Sequence, residues 1–500
     1  MSPEKKIKIA GLLAILAAAW FSQGFHHPDE YFQIFELASW KAGLTPSQDL
    51  PWEFSCFMRP ALQPALVYGV IRATQWAGWF HPFYVMAFFR LFAGVLFFFT
   101  AQAVWKAFTP DFSLRKHSVT VLFLALLLWL TPYLAVRFSS ENMASCLFFL
   151  AILPLREADK KNWGRLFMAG LLLGLVFHLR YQMAFALLGL GLWILIFSRK
   201  RVRNLTALMA GGVLTLLAGL VLDAWFYGTW VWTPYNYFYQ NIVLKKAAGF
   251  GVEPWYFYLR KLTWGQFFFL GPLVLLGYLV MVVRYPRHLV VWTSLPFVLG
   301  HHLVGHKEFR FLIPLYLIVP YSIALSFEVL GKFQFLKKAG KFFKRPAVAL
   351  NTVALCIAAL LPPSDNFWFL KNLYELPLKP GTLVVYEEEN NYPSPYQDGI
   401  LKFSFVQNHA RPLRFMSFAA WSRLNHPIAD STSCPVFITK VSQEKLVVEM
   451  ATRHCGPLNR LYQNLYAPLL RMMRDEGFTL PPDVRAYVIY APAKKTMAGT

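Results

Sequence analysis

The first 360 positions of the chain alternate long apolar runs with short basic or polar stretches. A run approaching 20 apolar residues matches the length of an α-helix that crosses a bilayer, so each run predicts a membrane span. The first run has the basic start of a signal peptide, but the many spans that follow favour an uncleaved helix. The pattern predicts about 11 transmembrane helices, near residues 7–24, 83–106, 118–134, 143–155, 166–179, 183–198, 205–222, 264–283, 289–304, 310–329 and 347–362.

Basic clusters set the orientation of these helices, because Lys and Arg accumulate in cytoplasmic loops. With the amino terminus inside, every cluster falls on the cytoplasmic side, provided that residues 61–80 form an interfacial or re-entrant helix instead of a span. Several polar segments then emerge together at the outer face. They are centred on Asp29, Glu53, Glu141, Asp223 and His306.

The composition changes after residue 362, where prolines punctuate a polar region without another run long enough to cross a bilayer. We therefore expect a transmembrane domain over residues 1–362, with interfacial helices in a first outer loop at 25–82. Residues 363–500 are expected to form a soluble extracytoplasmic domain.

Short apolar runs in this second domain are typical of strands. They lie at residues 382–386, 434–440 and 485–490. Leucines at helical spacing predict a helix near 458–474. The domain is thus expected to be a small α/β unit.

Composition supports a membrane protein, since 56% of the residues are hydrophobic and 17% are aromatic. The chain has 49 basic and 26 acidic residues, a formal net charge of +23, which in a soluble protein would suggest nucleic acid as the partner. Here the basic excess lies in the predicted cytoplasmic loops. The predicted partner is therefore the lipid bilayer, and no nucleic acid is expected.

The polar segment after the first span predicts one short helix over residues 28–42. Pro28 suits the first helical position, acidic residues favour the first turn, and Lys41 with Gly43 provides a basic last turn and a stop. Asp29 and Gln33 are four residues apart and share one face of this helix. The acids either carry out chemistry at the membrane surface or only cap an interfacial helix.

The predicted outer face combines carboxylates with several cations. A carboxylate can take the proton of an acceptor hydroxyl, while cations stabilise a departing phosphate, so this set suits transfer from a lipid phosphate. Aromatic residues such as Trp52 could stack on sugar rings. The candidate residues are Asp29, Glu30, His27, Gln33, Trp52, Glu53, Arg59, Arg137, Glu141, Asn142, Arg180, Asp223, Asn236, His306, Lys307 and Arg310.

Other kinds of site have little support. The chain has no D-x-D segment, no Walker-type glycine loop and no G-x-S-x-G segment, which disfavours a soluble nucleotide donor and a serine hydrolase. Gly189 and Gly191 lie inside an apolar run, where close helix packing explains them. His302 and His306 lack a third ligand at a defined spacing, so no metal is expected.

Cysteine usage leaves one pairing open. Cys56, Cys146 and Cys356 lie in or beside apolar segments, where a buried thiol is the ordinary state. Cys434 and Cys455 both fall in the predicted outer domain, and an oxidising compartment there would permit a disulfide.

Several segments, in order along residues 20 to 325, resemble glycosyltransferase family 22, the Alg-type and GPI-anchor mannosyltransferases. They are HPDEYFQ, PWE followed by Arg59, RFSSEN, Asp223 with YGTW and TPYNYFYQN, and HKEFRFLIP. The resemblance implies a GT-C fold, a polyprenyl-phosphate mannose donor, and inverting transfer to a glycolipid or lipid-linked glycan. It also implies an α-mannoside product, a site on the non-cytoplasmic face and no required cofactor.

The resemblance also implies roles for individual residues. Asp29 matches the candidate catalytic base, with Glu30 beside it, and His306, Lys307 and Arg310 match a segment expected to handle the donor phosphate. The remaining candidates would shape the substrate pocket. The chain departs from eukaryotic members at RFSSEN and at RYQ, which leaves the acceptor contacts open.

Two alternatives remain at this stage. A lipid-linked-sugar transporter or flippase could bind the same lipid without reacting, although the polar segments gather on one face and not at the middle of the membrane. A GT-C enzyme could also transfer a different sugar. The PWEFSCFMRPALQPAL segment looks bacterial, so we expect a bacterial inner membrane with a periplasmic active site, with the endoplasmic reticulum membrane and a lumenal site as the alternative.

Overall fold

The structure is a computed structural model that describes residues 1–264, 270–361, 363, 365–376, 378, 382–386, 404–406, 414–418, 421, 435–440, 444–455, 457–463 and 487–492. The chain forms two compact units. The membrane unit contains Met1–Ala38 and Pro51–Leu361, and the C-terminal unit contains Ser39–Leu50 and Pro362–Thr500. Part of the first predicted outer loop thus groups with the second unit.

The membrane unit is built from helices that follow the predicted apolar runs. Residues 61–80, predicted as an interfacial or re-entrant helix, contain a single helix, Leu62–Trp76. The main helices of the unit are Pro3–Phe21, Leu62–Trp76, Pro82–Asp111, Ser118–Leu127, Leu130–Ala135, Ser140–Ile152, Trp163–Leu179, Ala184–Phe197, Arg201–Tyr227, Thr233–Phe238, Phe257–Trp264, Gly271–Arg284, Leu289–Leu303, Val319–Leu330 and Gln334–Leu360.

Among the described residues, four helical segments are long and apolar enough to cross a membrane. They are Pro82–Asp111, Arg201–Tyr227, Phe309–Leu330 and Phe342–Leu360. Shorter apolar helices accompany them at Trp163–Leu179, Tyr181–Phe197, Gly271–Arg284 and Leu289–Leu303. A polytopic helical membrane protein is therefore confirmed, whereas the exact number of 11 spans is not.

Two predicted spans are irregular because of proline. A proline inside a helix removes one backbone hydrogen bond and its ring clashes with the carbonyl four residues earlier. Pro132 cannot donate a helical hydrogen bond to the carbonyl of Leu128. The predicted span 118–134 breaks at this residue, and the backbone of Leu128 is extended. The span 310–329 begins as a 3₁₀-helix, Phe309–Ile318, that contains Pro314 and becomes α-helical only from Val319.

Glycine allows two helices of the membrane unit to touch through their backbones. A Cβ atom on Gly189 would lie 2.0 Å from the carbonyl oxygen of Trp292, so helix Ala184–Phe197 packs directly on helix Leu289–Leu303. Close packing was predicted for both glycines of this run and is confirmed for Gly189. It is wrong for Gly191, around which nothing lies within 4 Å of an added Cβ.

The C-terminal unit contains a mixed five-stranded sheet. Its strands are β1 (Leu383–Tyr386), β2 (Arg414–Ser417), β3 (Val436–Lys440), β4 (Leu458–Gln463) and β5 (Tyr487–Pro492), in the order β2-β1-β3-β5-β4. The β1 strand is parallel to β2 and β3, while β5 is antiparallel to β3 and β4. The three predicted strands are confirmed.

The core of this unit forms where helix Glu444–Cys455 covers the sheet. Val447 and Ala451 of the helix join Val385, Phe437 and Trp421 in one buried cluster. The small α/β unit predicted from sequence is therefore present.

The helix predicted near 458–474 is wrong over its first part, because Leu458–Gln463 is a strand paired with β5. Leucines spaced three and four residues apart fit a helix, but pairing with a neighbouring strand overrides that local pattern. Residues 464–474 lie outside the described residues.

The pairing that the sequence left open is described at one of its two cysteines. Cys455 is disulfide-bonded, whereas Cys434, its possible partner, lies outside the described residues. Cys56, Cys146 and Cys356 are free thiols, and only Cys146 of these three is fully buried.

The two glycines of helix Ala184–Phe197 provide a matched test of the packing. Alanine raises helix propensity by about 1 kcal/mol at either position, but only Gly189→Ala pushes a methyl group into the Trp292 backbone. Overpacking of this kind costs about 1–3 kcal/mol. We expect Gly189→Ala to lower the midpoint of thermal unfolding in detergent and Gly191→Ala to leave it unchanged or slightly higher. Equal midpoints would contradict the close contact.

Candidate active site

Asp29 lies in the first turn of the helix predicted after the first span. His27 caps this helix, since its Nδ1 accepts a hydrogen bond from the backbone N–H of Asp29 at 3.2 Å. Pro28 occupies the first helical position, which requires no N–H donor. The cap and the proline therefore fix the direction in which the Asp29 carboxylate points.

The rest of this helix differs from the single α-helix that was predicted. Pro28–Glu30 continues into a π-helical segment, Tyr31–Glu36, before α-helix returns at Leu37–Lys41. The side-chain hydroxyl of Tyr31 donates to the Glu36 carboxylate at 2.8 Å, and both are buried. Hydrogen bonds in a π-helix join residues five apart, the same separation as this pair. The stop is as predicted, because the chain leaves the helix just before Gly43, whose φ is +80°.

Arg310 is the centre of the site. Its guanidinium donates to Asp29 Oδ2 at 2.7 Å, to Glu308 Oε2 at 2.6 Å and to Glu141 Oε1 at 3.2 Å. Only 10% of the Arg310 side chain is exposed. Three carboxylates from three distant parts of the chain therefore share one buried cation.

Two histidines complete the surroundings of Glu308. His27 Nε2 lies 3.3 Å from Glu308 Oε2, and His306 Nε2 lies 3.0 Å from Glu308 Oε1. The other nitrogen of His306 lies 2.9 Å from the carbonyl oxygen of Gly251. Each oxygen of Glu308 therefore faces one imidazole nitrogen as well as the guanidinium of Arg310. Glu308 lies inside the recognised HKEFR segment of the predicted outer face, and its contact with Arg310 makes it a member of this network.

A second arginine contacts the same oxygen of Glu141. Arg180 donates from Nη1 to Glu141 Oε1 at 2.8 Å, and the Glu141 side chain is only 4% exposed. The ring centroid of Phe311 lies 5.3 Å from the guanidinium carbon of each arginine. Phe311 is another member of the site that sequence analysis did not identify.

The surroundings keep Asp29 ionised. Burial opposes its charge, but the contact with His27 and the charges of Arg310 and Arg59 outweigh this effect and hold the pKa of Asp29 well below its usual range. The pKa of Glu308 is also lowered, since Arg310 and His27 overcome the effect of burial. Asp29 is thus a carboxylate ready to accept a proton, but a weak base as long as Arg310 binds it.

The first outer loop supplies a second charged pair. Arg59 makes a two-pronged contact with Glu53, with Nε 3.0 Å from Oε2, and Gln33 donates to the same Glu53 oxygen at 2.9 Å. An open cleft of about 390 Å³ runs between this pair and the Arg310 network. Its polar lining is Asp29, Glu30, Gln33, Arg59, Gln63, Ser140 and Glu141. The predicted shared face of Asp29 and Gln33 is therefore present.

A second cleft, of about 310 Å³, lies on the other side of Glu141. Its polar lining is His26, His27, Glu30, Arg137, Ser139, Glu141, Asn142 and Arg310. Glu30 is only 6% exposed and accepts the backbone N–H of His26 at 3.0 Å. Burial raises the pKa of Glu30, against the effect of the Arg137 charge. Glu30 therefore lines both clefts, but its carboxylate binds the backbone of the loop that contains His26.

Several side chains that were predicted to line the pocket form hydrogen bonds to backbone carbonyls. Arg137 is 1% exposed and donates to the carbonyls of Ser22 and Gly24 at 3.1 and 3.0 Å. Asn142 donates to the carbonyls of Ala135 and Arg137. These contacts fasten the segment after the first helix to the start of helix Ser140–Ile152.

Asp223 is fully buried at the end of helix Arg201–Tyr227. Its two oxygens accept from the backbone N–H of Ala61 at 2.8 Å and from the hydroxyl of Thr233 at 2.5 Å. Asn236 donates to the carbonyl of Phe57. Both residues therefore anchor the first outer loop and its Arg59 rather than facing a cleft.

The side chain of Lys307 points towards backbone carbonyls. Its ammonium group donates to the carbonyls of Glu253, Val304 and Gly305 at 2.8, 2.5 and 3.4 Å, and burial lowers its pKa. Trp52 lies at the outer rim, stacked on Phe250 with centroids 6.2 Å apart. Neither residue contacts the Arg310 network.

Within the described part of the chain, no group of three or more His, Cys, Asp or Glu side chains is placed to hold a metal ion. His302 and His306, weighed above as a metal pair, make different contacts. His302 Nδ1 lies against the carbonyl of Val298, while His306 lies against Gly251 and Glu308.

Known proteins resemble this chain in fold and in sequence. The chain superposes on a solved structure of ArnT from Cupriavidus metallidurans bound to undecaprenyl phosphate with a TM-score of 0.55, at 10% identity over 97% of each chain. This likeness confirms the GT-C fold. GPI mannosyltransferase 3 of Candida albicans is 30% identical over 28% of this chain and 27% of its own length. GPI alpha-1,2-mannosyltransferase 3 of Xenopus laevis is 26% identical over 61% of this chain and 57% of its own.

The chain thus spans about a quarter to three fifths of the length of these curated relatives. A family model extends further, matching residues 8–375 and therefore most of the membrane unit. Because this match covers well over half of the sequence, the chain belongs to the Alg9-like mannosyltransferase family.

Proposed function

We propose that this protein transfers mannose from a polyprenyl-phosphate mannose donor to a hydroxyl of a glycolipid or lipid-linked glycan acceptor. The family membership supports the sugar, and the GT-C fold with its membrane helices supports lipid-linked substrates. The observation that carries the proposal is the bond between Arg310 and Asp29, which puts a cation for a phosphate beside a carboxylate for a hydroxyl proton.

The reaction is a single displacement with inversion. The acceptor oxygen attacks the anomeric carbon of mannose, its proton passes to the Asp29 carboxylate, and the bond from the anomeric carbon to the phosphate oxygen breaks. The polyprenyl phosphate leaves with that electron pair and is stabilised by arginine. One base is enough for inversion, which yields an α-mannoside from a β-linked donor.

Arg310 links the two halves of this chemistry. Its contact with Asp29 makes the carboxylate a weak base, as the lowered pKa indicates. An anionic donor phosphate competes with Asp29 for the same guanidinium, and any weakening of the ion pair raises the basicity of Asp29. Donor binding therefore prepares the base at the moment when a leaving group is in place.

The basic clusters support a membrane orientation with the site on the non-cytoplasmic face. We propose a bacterial inner membrane with a periplasmic site, with a lumenal site in the endoplasmic reticulum as the alternative. Under this proposal the C-terminal unit lies outside the cytoplasm, where a disulfide at Cys455 is chemically stable.

Replacement of Asp29 tests the base directly. Asp29→Asn keeps an oxygen that can accept from Arg310 but removes the proton acceptor, so we expect kcat to fall at least about 100-fold, in the range seen for general bases. The assay measures transfer of radiolabelled mannose from polyprenyl-phosphate mannose to a glycolipid extract of the native host. An unchanged midpoint of thermal unfolding controls for folding.

Turnover by Asp29→Asn comparable to the wild type would contradict the assignment of the base. A wild-type protein that moves the lipid across vesicles without transferring label would favour the flippase alternative. Transfer of glucose or arabinose in place of mannose from the matching lipid phosphates would instead identify a different donor sugar.

The pH profile tests the link between Arg310 and Asp29. In Arg310→Gln the charge that lowers the pKa of Asp29 is lost while the opposing effect of burial remains, so the pKa rises. Fewer Asp29 carboxylates are then ionised in acid, and the acid limb of the kcat/KM profile should move to higher pH. Arg284→Gln, which removes an arginine paired with Glu328, serves as the control and should keep the wild-type limb. Superimposable acid limbs in all three proteins would contradict the link.

Lys307 and Arg310 are expected to differ, although both belong to the HKEFR segment. Lys307→Met removes hydrogen bonds from a charged group to three carbonyls, worth about 1.5–3 kcal/mol each, and should mainly lower the midpoint of thermal unfolding. Arg310→Gln should mainly raise the KM for the donor. A selective donor defect in Lys307→Met, with normal thermal stability, would show that its ammonium group reaches the phosphate during the reaction.

A further inference from the structure

Three polar side chains beside the Arg310 network are buried without a hydrogen-bond partner for some of their atoms. These atoms are Nε and Nη2 of Arg180, the hydroxyl of Tyr258 and Nε2 of His301. The three residues are 8%, 1% and 2% exposed. An unpaired buried polar group costs about 1–3 kcal/mol, so several of them in one region require an explanation.

The three residues come from separate elements, and two of them, Arg180 and His301, lie near Phe311. Arg180 follows helix Trp163–Leu179, and its guanidinium carbon lies 5.3 Å from the centroid of Phe311. The ring of His301 lies 6.1 Å from the same centroid. Tyr258 packs on His302, the residue that follows His301 in the chain. The ring centroids of Tyr258 and His302 are 5.2 Å apart. The charge of Arg180 acts on both Tyr258 and His301.

The free atoms of Arg180 form the edge of the guanidinium that suits a phosphate. Nε and Nη2 point in the same direction and can hold two oxygens of one anion. Arg59, Arg156 and Arg310 use this edge for Glu53, Asp111 and Glu308 respectively. Arg180 instead uses Nη1 for Glu141, which leaves its two-pronged edge open.

His301 offers the opposite kind of group. Its Nδ1 lies 2.8 Å from the carbonyl oxygen of Phe297, an atom that can only accept a hydrogen bond. The proton of the neutral ring is therefore on Nδ1, and Nε2 presents a lone pair. The region thus combines an anion-binding edge, a hydroxyl donor and one acceptor, which is the pattern that a phosphate attached to a sugar requires.

We infer that Arg180, Tyr258 and His301 form a subsite for the sugar-phosphate linkage of an anionic glycosyl lipid. Arg180 and Tyr258 donate to the phosphate oxygens, while His301 accepts a hydrogen bond from a sugar hydroxyl. The identity of this ligand as the mannose donor rests on the proposed function above.

Binding of two lipids by the full-length protein in detergent separates these contacts. The probes are a short-chain polyprenyl phosphate and its mannosyl phosphodiester. Tyr258→Phe should raise the Kd of both lipids at least about tenfold, since a hydrogen bond to a charged group contributes about 1.5–3 kcal/mol. His301→Phe should raise the Kd of the mannosyl lipid and leave that of the bare phosphate unchanged.

Tyr321→Phe is the matched control. Tyr321 is also a buried tyrosine whose hydroxyl has no hydrogen-bond partner, but it packs against Phe108 and Phe112, away from the Arg310 network. We expect wild-type Kd values for this variant. The thermal midpoints of all three variants report whether they fold.

The outcomes distinguish the subsite from the proposed function. Wild-type affinity of Tyr258→Phe for both lipids, or equal weakening in Tyr321→Phe, overturns the subsite even when mannose is transferred. Weakened binding of both lipids in Tyr258→Phe supports the subsite even if the wild type transfers no mannose, in which case only the proposed function fails. A wild type that binds inorganic phosphate but neither lipid overturns both.

Discussion

The site depends on one buried guanidinium that three carboxylates share. Arg310 is bound by Asp29, Glu141 and Glu308, which come from the first outer loop, the start of helix Ser140–Ile152 and the loop before Phe309. A buried charge without partners is strongly destabilising, so each of these segments must be in place for the others to be stable there. The same ion pairs that hold the loops together therefore also position the reacting groups.

The charges of this network explain where an anionic ligand can bind. Arg310 and Arg180 face Asp29, Glu141 and Glu308, so this set alone carries no surplus of positive charge. A phosphate must either displace a carboxylate from Arg310 or use an edge of arginine that no carboxylate occupies. Arg180 presents such an edge. Contact with both arginines would bring the anomeric carbon of a donor beside Asp29.

The sequence predicts which segments meet, but not which atoms they use. The apolar runs and basic clusters predict that Asp29, Glu141 and Arg310 lie on one face, because residue types alone determine hydrophobicity and charge. Arg137, Asn142 and Lys307 bind backbone carbonyls, which every residue has, so no motif distinguishes them from ligand-binding side chains. Tyr258 and His301 lie in apolar stretches, and only their missing partners in three dimensions mark them.

The ion pair between Arg310 and Asp29 also bears on a side reaction, the hydrolysis of the donor by water. A strong base beside an open cleft would activate water and hydrolyse the donor. Asp29 with a lowered pKa does this poorly, because a weak base removes a proton from water slowly. Under the proposed function the donor phosphate competes for Arg310, so the basicity of Asp29 would rise only when the donor occupies the site. An acceptor hydroxyl would then displace water from the cleft, and the same ion pair that stabilises the loops would favour transfer over hydrolysis.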